Sequence, residues 1–429
     1  MRPRFASVFS GCAALALLTV SACSSHVNAP TGGAGSGGQG AAGESQAAAG
    51  QSGGVAAGGS SGRSGNAGQA GELTGAGGLV GSSGAAGQAG ASNAQAGQAG
   101  AGTGPVGPRF VGRFDRTDAT TPVFAWSGTA IALRFKGTAI GVTLTDGGNN
   151  FFEVVIDGQL TVLPLQSGTK KYVLGSNLSD AAHDVLLYRR TEAFFGETKF
   201  GGFDVDASAY LAGQPAPTKR LEVIGDSISA GYGNEGTLPC QFEGQTENHY
   251  LTYGALAART LGAELYTEAW SGIGMLRNND GSTTGTMPER YPRALPESAT
   301  STWDFSSYVP DAVVINLGTN DFAKGDPAMA FQSTYTTFVT GLRAHYPKAR
   351  FYLAVGPMLG GTDYDKAKVY LEGVIAARKT AGDSNLVVLP FATQDGTNDG
   401  LGCDYHPSLK THQKMADQLV TTLKADLGW

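Results

Sequence analysis

Four short stretches of the sequence contain residue types that together suit acyl transfer. They are a Gly-Asp-Ser ending at Ser227, a Gly-rich turn around Gly272, a Gly-Thr-Asn-Asp around Asn320, and a His-Pro beginning at His406. A serine hydroxyl becomes a nucleophile when a histidine accepts its proton. A glycine lets a backbone N–H approach a developing oxyanion closely, and an asparagine amide supplies another donor. Each stretch alone is a common loop sequence, but the ordered set indicates chemistry on an acyl group.

The elements around these stretches predict one domain over residues 218–429. Apolar runs typical of buried parallel strands occur at 221–224, 263–267, 312–317, 351–355 and 386–389. Helical stretches occur at about 251–261, 328–346, 365–381 and 409–427. Strands that alternate with helices form a parallel sheet covered on both faces, with working residues beyond the carboxyl ends of the strands. The pattern therefore predicts a three-layer α/β/α domain with the four stretches at one edge of its sheet.

A different pattern over residues 108–214 predicts a β-sandwich. Short alternating apolar runs are separated by Gly and Asp, and Asp157-Gly158 is a hairpin signal. No helical period interrupts them, which favours a jelly roll. The Gln-Pro-Ala-Pro at 214–217 is typical of a stiff linker between the two domains.

The four stretches resemble the four conserved sequence blocks of the SGNH (GDSL-type) hydrolases. Their amino-acid sequences are more similar still to those of carbohydrate esterase family two. Further matching stretches are 188–193, 251–254, 269–272 and 403–407. The resemblance covers residues 110–429 and implies a jelly roll followed by an SGNH domain. It implies that Ser227 is the nucleophile, that His406 is the base, and that Gly272, Asn320 and the Ser227 N–H form the oxyanion hole. It also implies removal of acetyl groups from plant polysaccharides such as xylan or glucomannan.

One position departs from the wider superfamily, which usually has Asp three residues before the histidine. Cys403 stands there in this sequence, and Asp404 follows it. Either Asp404 or a backbone carbonyl would then orient His406, and we expect Asp404 to complete a triad. We read Asp226 as structural.

No pattern in the sequence predicts a metal or another cofactor. His-Glu-x-x-His and clustered His or Cys at ligand spacing are missing from the sequence. Tyr291 and Trp303 lie in a long segment at 270–309, where they would either line a sugar-binding cleft or pack the segment against the core.

The N-terminal 107 residues predict export and tethering rather than a fold. Arg2 and Arg4 precede a short apolar run, and Val-Ser-Ala then leads to Cys23, which resembles a bacterial lipobox. We expect residues 1–22 to be a lipoprotein signal peptide, with Cys23 lipidated and the protein held at the outer membrane or cell surface. An ordinary signal peptide with a chance cysteine at position 23 is the alternative. Residues 23–107 predict a disordered Gly/Ala/Ser/Gln-rich tether, because 28 of the 65 glycines lie between 31 and 107, without one aromatic residue.

The remaining cysteines predict one disulfide bond. Cys12 would leave with the signal peptide, so Cys240 and Cys403 remain as a pair in an exported protein. Two separate buried thiols are the alternative.

Charge and motif content narrow the choice of function. A formal net charge of −6 without a basic run argues against nucleic-acid binding. We expect a monomer that binds acetylated polysaccharide or oligosaccharide. A lipid or aryl esterase on the same fold and a non-catalytic carbohydrate-binding lipoprotein are the alternatives, because the four blocks fix the reaction and not the substrate.

Overall fold

Two antiparallel sheets form the N-terminal domain of the computed structural model, which describes residues 102–429. The strands are β1 (Arg109–Val111), β2 (Val123–Phe124), β3 (Ala130–Gly137), β4 (Ile140–Asp146), β5 (Phe151–Ile156), β6 (Gln159–Pro164), β7 (Gly168–Gly175), β8 (Ala181–Arg189) and β9 (Thr198–Phe203). One sheet has the order β1-β3-β8-β5-β6 and the other the order β2-β9-β4-β7.

The alternating pattern of the strands buries one face of each sheet in a shared core. In β4, Ile140, Val142 and Leu144 are buried while the residues between them are half-buried. They pack with Phe124 and Phe152 from the two sheets. The predicted hairpin at Asp157-Gly158 joins β5 to β6, and both residues have the positive φ that a two-residue hairpin turn requires.

The C-terminal domain alternates strands and helices. The strands are β10 (Arg220–Gly225), β11 (Glu264–Ala269), β12 (Ala312–Asn316), β13 (Arg350–Val355) and β14 (Leu386–Pro390). The helices are α1 (Ser227–Ala230), α2 (Tyr253–Leu261), α3 (Met287–Arg290), α4 (Thr319–Phe322), α5 (Ala328–His345), α6 (Gly361–Thr380) and α7 (Leu409–Leu427). All pairings in the sheet are parallel, in the order β11-β10-β12-β13-β14.

Helices cover both faces of this sheet, which explains its continuous apolar runs. Val313 and Ile315 of β12 pack toward α5 and α6, whereas Val314 lies in the core formed with α2 and α7. The fold class predicted from the sequence is confirmed. The main difference is α6, which begins at Gly361, four residues before the predicted start, because Tyr364 alone packs on the core from its first turn and a single residue reveals no period.

A buried ionic group joins the two domains. Arg113, which follows β1, is fully buried and lies against two carboxylates of the parallel sheet. Its Nη2 is 3.0 Å from Oε1 of Glu222, and its Nε is 2.8 Å from Oε1 of Glu268. Burial without full compensation raises the pKa of Glu268 well above its ordinary value. Because an unpaired buried charge is costly, this group ties the position of the sandwich to the parallel sheet of the C-terminal domain.

Some predictions fall outside the described residues. The signal peptide, Cys23 and the tether up to residue 101 are among them. Within residues 102–429, no helix is long and apolar enough to cross a lipid bilayer.

Candidate active site

Ser227 lies just beyond the carboxyl end of β10, the strand beside the edge strand β11, where the chain turns sharply into α1. Asp226 caps this helix, since its Oδ1 accepts a hydrogen bond from the Ile228 N–H at 3.0 Å. The turn has no room for a side chain at Gly225, where a Cβ would lie 2.1 Å from the Ser229 hydroxyl oxygen. Only 5% of Ser227 is exposed, and this part lines a cleft. Asp226 has the structural role that the sequence suggested.

His406 reaches the serine from the loop that precedes α7. Its Nε2 lies 2.9 Å from the Ser227 Oγ, which is hydrogen-bonding distance. Burial lowers the pKa of His406 to about 4, although its contacts with the Asp404 and Cys403 backbone oppose that shift. The imidazole is therefore neutral at physiological pH and able to accept the serine proton.

The other ring nitrogen of His406 corrects the expected triad. His406 Nδ1 lies 3.2 Å from the main-chain carbonyl oxygen of Asp404. The carboxylate of Asp404 instead accepts hydrogen bonds from the Tyr232 hydroxyl at 2.8 Å and the Phe242 N–H at 3.1 Å. The reason is local: Asp404 has φ 49° and Tyr405 has φ 64°. In this left-handed turn the carbonyl oxygen of Asp404 faces the imidazole, while its carboxylate bonds elsewhere.

A stack of aromatic rings supports the histidine. The Tyr232 ring lies 4.0 Å from the His406 ring, and the Phe242 ring lies 3.7 Å from the other face of Tyr232. The predicted Cys240–Cys403 disulfide is present and joins the loop that carries Phe242 to the loop that carries His406. Sequence reasoning did not identify Tyr232 or Phe242, because no motif links them to a histidine more than 160 residues away.

Gly272 and Asn320 lie beside Ser227 in the same cleft, as predicted for an oxyanion hole. Gly272 has φ +78°, and a Cβ there would lie 3.3 Å from the Asn279 amide, so the close turn needs glycine. The carbonyl oxygen of Gly272 accepts a hydrogen bond from the Asn279 N–H at 2.9 Å. The Nδ2 of Asn320 donates to the Ile273 carbonyl at 2.9 Å and lies 3.4 Å from Oδ2 of Asp226.

The cleft over these residues has a volume of about 540 Å³, enough for part of a sugar chain. The N-terminal domain contributes Glu192 and Phe194 to its wall, and the Phe194 ring is 64% exposed. The polar side of the cleft includes Asn278, Asn279 and Asp280. Among residues 102–429, no group of three or more His, Cys, Asp or Glu side chains has an arrangement that could hold a metal ion.

Comparison with known proteins identifies the family to which this chain belongs. The model of the carbohydrate esterase 2 N-terminal domain matches residues 110–215, and that of the GDSL-like lipase/acylhydrolase family matches residues 223–414. A solved family two carbohydrate esterase from Clostridium thermocellum, in complex with cellohexaose, is 41% identical, with a TM-score of 0.72. The match covers 75% of this chain and all of that one. The chain belongs to carbohydrate esterase family two.

Two curated relatives of this family two esterase differ in the share of their length that the chain covers. The cellulase/esterase CelE of Acetivibrio thermocellus is 41% identical over 326 residues, which cover 75% of this chain and 40% of CelE. The chain thus spans well under half the length of that relative. An acetylxylan esterase / glucomannan deacetylase of Cellvibrio japonicus is 26% identical over 324 residues, which cover 74% of this chain and 88% of that protein.

Two aromatic residues considered for the cleft of the family two esterase lie elsewhere. Tyr291 is buried, with its ring 4.4 Å from the Arg113 guanidinium, and its hydroxyl donates to Glu222 at 2.9 Å. Trp303 lies near the same guanidinium, at 5.2 Å. Both rings pack the 270–309 segment, so the packing alternative is correct. Phe194 instead supplies an exposed ring, and sequence reasoning missed it because it belongs to the other domain.

Proposed function

We propose that this protein is an exported, lipid-anchored serine esterase that removes O-acetyl groups from plant polysaccharides such as acetylated xylan or glucomannan. The observation that carries the proposal is the 2.9 Å contact between Ser227 Oγ and His406 Nε2 beside the Gly272 turn and the Asn320 amide. A relative with this architecture is named an acetylxylan esterase / glucomannan deacetylase, which supports this substrate class.

In the proposed reaction, the Ser227 proton moves to Nε2 of His406 while Oγ bonds to the acetyl carbonyl carbon. The carbonyl oxygen becomes an oxyanion, which accepts hydrogen bonds from the N–H groups of Ser227 and Gly272 and from the Asn320 amide. The imidazolium then donates its proton to the sugar oxygen as the C–O bond breaks. Water, activated in turn by His406, releases acetate from the acetyl-serine and restores the hydroxyl.

The carbonyl of Asp404 has two effects in this scheme. It accepts a hydrogen bond from Nδ1–H, which leaves Nε2 as the unprotonated nitrogen that faces Ser227. It also places a negative partial charge beside the imidazolium that forms during attack. It provides less electrostatic stabilisation than a carboxylate, and the 3.2 Å distance makes it a modest contact.

The lining of the cleft offers groups that suit a carbohydrate. Polar side chains of the 278–280 loop and the exposed Phe194 ring line it together. These groups suit sugar hydroxyls and one apolar sugar face.

Acetate release from acetylated xylan and acetylated glucomannan tests the activity, with Ser227→Ala as the matched inactive control. We expect release by the wild type and loss of at least about a thousandfold in the variant, as for other nucleophile deletions. Faster hydrolysis of long-chain p-nitrophenyl esters than of acetylated xylan would favour a lipid or aryl esterase. Binding of acetylated xylan without turnover would favour a non-catalytic lipoprotein.

The anchor is tested separately on the full chain in a bacterial host. We expect mass spectrometry to find lipid on Cys23 and the protein to fractionate with membranes. The Cys23→Ala protein should lack this modification. Unmodified Cys23 in exported protein would contradict the anchor and leave the esterase proposal intact.

A further inference from the structure

Glu192 connects the N-terminal domain to the turn that carries Gly272. It lies just after β8, is fully buried, and reaches across the domain boundary. Its Oε2 accepts a hydrogen bond from the Ser271 N–H at 2.6 Å. The next residue along the chain is Gly272, whose carbonyl oxygen accepts a hydrogen bond from the Asn279 N–H. The Trp270–Ser271 peptide plane is therefore held from the sandwich domain, and the Gly272–Ile273 plane from the catalytic domain. The plane between them, which carries the Gly272 N–H, is fixed at both of its ends.

A second buried carboxyl group, Glu247, faces Glu192. Its Oε2 accepts a hydrogen bond from the Glu192 N–H at 3.1 Å. The remaining oxygens, Oε1 of Glu192 and Oε1 of Glu247, are buried and have no donor among the residues that the structure describes. The two carboxyl groups act on one another: the Glu247 side chain lowers the pKa of Glu192 as a hydrogen-bond partner, and the Glu192 charge raises the pKa of Glu247. A single proton between them would satisfy both oxygens at once.

Electrostatics agrees with this arrangement. Burial raises the pKa of Glu192 to about 7, and burial together with the Glu192 charge raises the pKa of Glu247 well above its ordinary value. Two like charges on neighbouring buried carboxyl groups are costly, so one of the two groups keeps its proton.

The cations beside the carboxyl pair form most of their hydrogen bonds with other groups. The Arg189 guanidinium donates to backbone carbonyls and to Thr198, and the Arg190 guanidinium donates to Glu153 and Glu235. The other titratable groups that act on the pair or on these arginines are Asp146, Glu197, Asp226 and Tyr232.

We propose that Glu192 of the N-terminal domain is a positioning residue for the oxyanion hole, and that it holds the Ser271–Gly272 turn as one half of a carboxyl pair that shares a single proton with Glu247. The inference rests on the proposed esterase activity and deepens it, because it makes the sandwich domain part of the catalytic apparatus. The carboxyl pair carries one negative charge and one proton. Loss of that proton at alkaline pH would leave two facing carboxylates, whose repulsion would release the turn.

Three variants separate positioning from simple structural support. Glu192→Ala removes the acceptor for the Ser271 N–H. We expect kcat for an aryl acetate to fall about ten- to a hundredfold with KM nearly unchanged. This loss of kcat is no larger than the ~10²–10³ that removal of an oxyanion donor costs. Glu192→Gln keeps an acceptor for the Ser271 N–H, so it should restore most of kcat at neutral pH. Glu264→Gln is the matched control, because Glu264 pairs with Arg109 across the same domain boundary away from the cleft, and it should leave kcat unchanged.

The shared proton is tested by the alkaline side of the kcat profile. We expect wild-type kcat to fall as pH rises through the last ionisation of the pair. In Glu247→Gln the amide would donate permanently to Glu192, so the alkaline fall should disappear while the acid side stays. A wild-type profile without this fall, or an unchanged fall in Glu247→Gln, would overturn the shared proton.

A readout without turnover keeps this inference distinct from the proposed function. Amide hydrogen exchange of a peptide spanning 270–274 should be faster in Glu192→Ala than in the wild type and Glu264→Gln. Unchanged exchange and unchanged kcat in Glu192→Ala would overturn the positioning role. Absence of ester hydrolysis by the wild type, with the exchange difference present, would overturn the esterase proposal alone.

Discussion

The Nδ1 of His406 faces the main-chain carbonyl oxygen of Asp404 at 3.2 Å, while the Asp404 carboxylate binds Tyr232 and Phe242. The residue that looks like a triad acid in the sequence thus uses its backbone, and its side chain braces the aromatic stack. The catalytic unit that we propose is a Ser227–His406 dyad.

Asp404→Asn tests the dyad directly. The backbone carbonyl survives the change, and an amide oxygen can still accept from Tyr232 or Phe242, so we expect kcat/KM to fall less than about tenfold. Replacement of a true triad Asp costs ~10⁴ in the serine proteases. Steady-state kinetics on an aryl acetate would decide, and a loss above about a hundredfold would restore the carboxylate to the triad.

The pH dependence of kcat/KM follows from the burial of His406. A base must be unprotonated to act, and burial lowers the pKa of this one to about 4. Activity should therefore be complete at neutral pH and fall as pH drops through about 4, below the ordinary value of 6.5. Tyr232→Ala would uncover one face of the imidazole and should move the acid midpoint upward. An acid midpoint at the ordinary histidine value in the wild type would contradict this prediction.

The Cys240–Cys403 disulfide should stabilise both the fold and the site. It spans 163 positions of sequence, and removal of a native disulfide typically costs ~2–5 kcal/mol in the free energy of unfolding. Urea unfolding of the Cys240→Ser/Cys403→Ser protein measures this loss. We also expect a lower kcat, because the loops of Phe242 and His406 would no longer be joined. Equal stability and equal kcat would show that the hydrogen bonds between the loops suffice.

Phe194→Ala should separate polymer binding from chemistry. The exposed ring lies in the cleft wall and packs edge-on against Phe195, whereas the ring stacked on His406 is that of Tyr232, so turnover of a small aryl acetate should stay within about twofold. On acetylated xylan, loss of one aromatic contact should raise KM several-fold, since aromatic contacts are worth ~0.5–1.5 kcal/mol beyond burial. Phe194→Tyr is the matched control and should keep the low KM. Equal effects of Phe194→Ala on both substrates would exclude a substrate-binding role.

The catalytic strands and helices could be predicted because local patterns specify them. The run at 312–317 became β12 (Ala312–Asn316), and α7 covers the predicted range Leu409–Leu427. Buried parallel strands have continuous apolar runs, and their carboxyl ends meet at one edge of the sheet. The residue pattern alone therefore places Ser227, Gly272 and Asn320 together.

Features that depend on backbone handedness or on the domain boundary could not be predicted in the same way. Asp404 is read as a triad acid because its chemistry is visible in the sequence, whereas its φ of 49° is not. Glu192 and Ser271 are separated by 79 positions and belong to different domains. Tyr291 is buried against Arg113, which lies 178 positions before it in the sequence. In each case the partner is supplied by tertiary packing, which no local pattern contains.

The Arg113 ionic group has a consequence for how such genes can be rearranged. A descendant that lost the sequence coding for the sandwich would keep Glu222 and Glu268 inside its remaining half, with no cation to face them. Removing one partner of a buried pair costs ~3–5 kcal/mol, a large share of the stability of an ordinary domain. Shuffling of the hydrolase half alone into a new multidomain gene would therefore be selected against unless both carboxylates changed as well. We therefore expect the two halves to be inherited together as one evolutionary module.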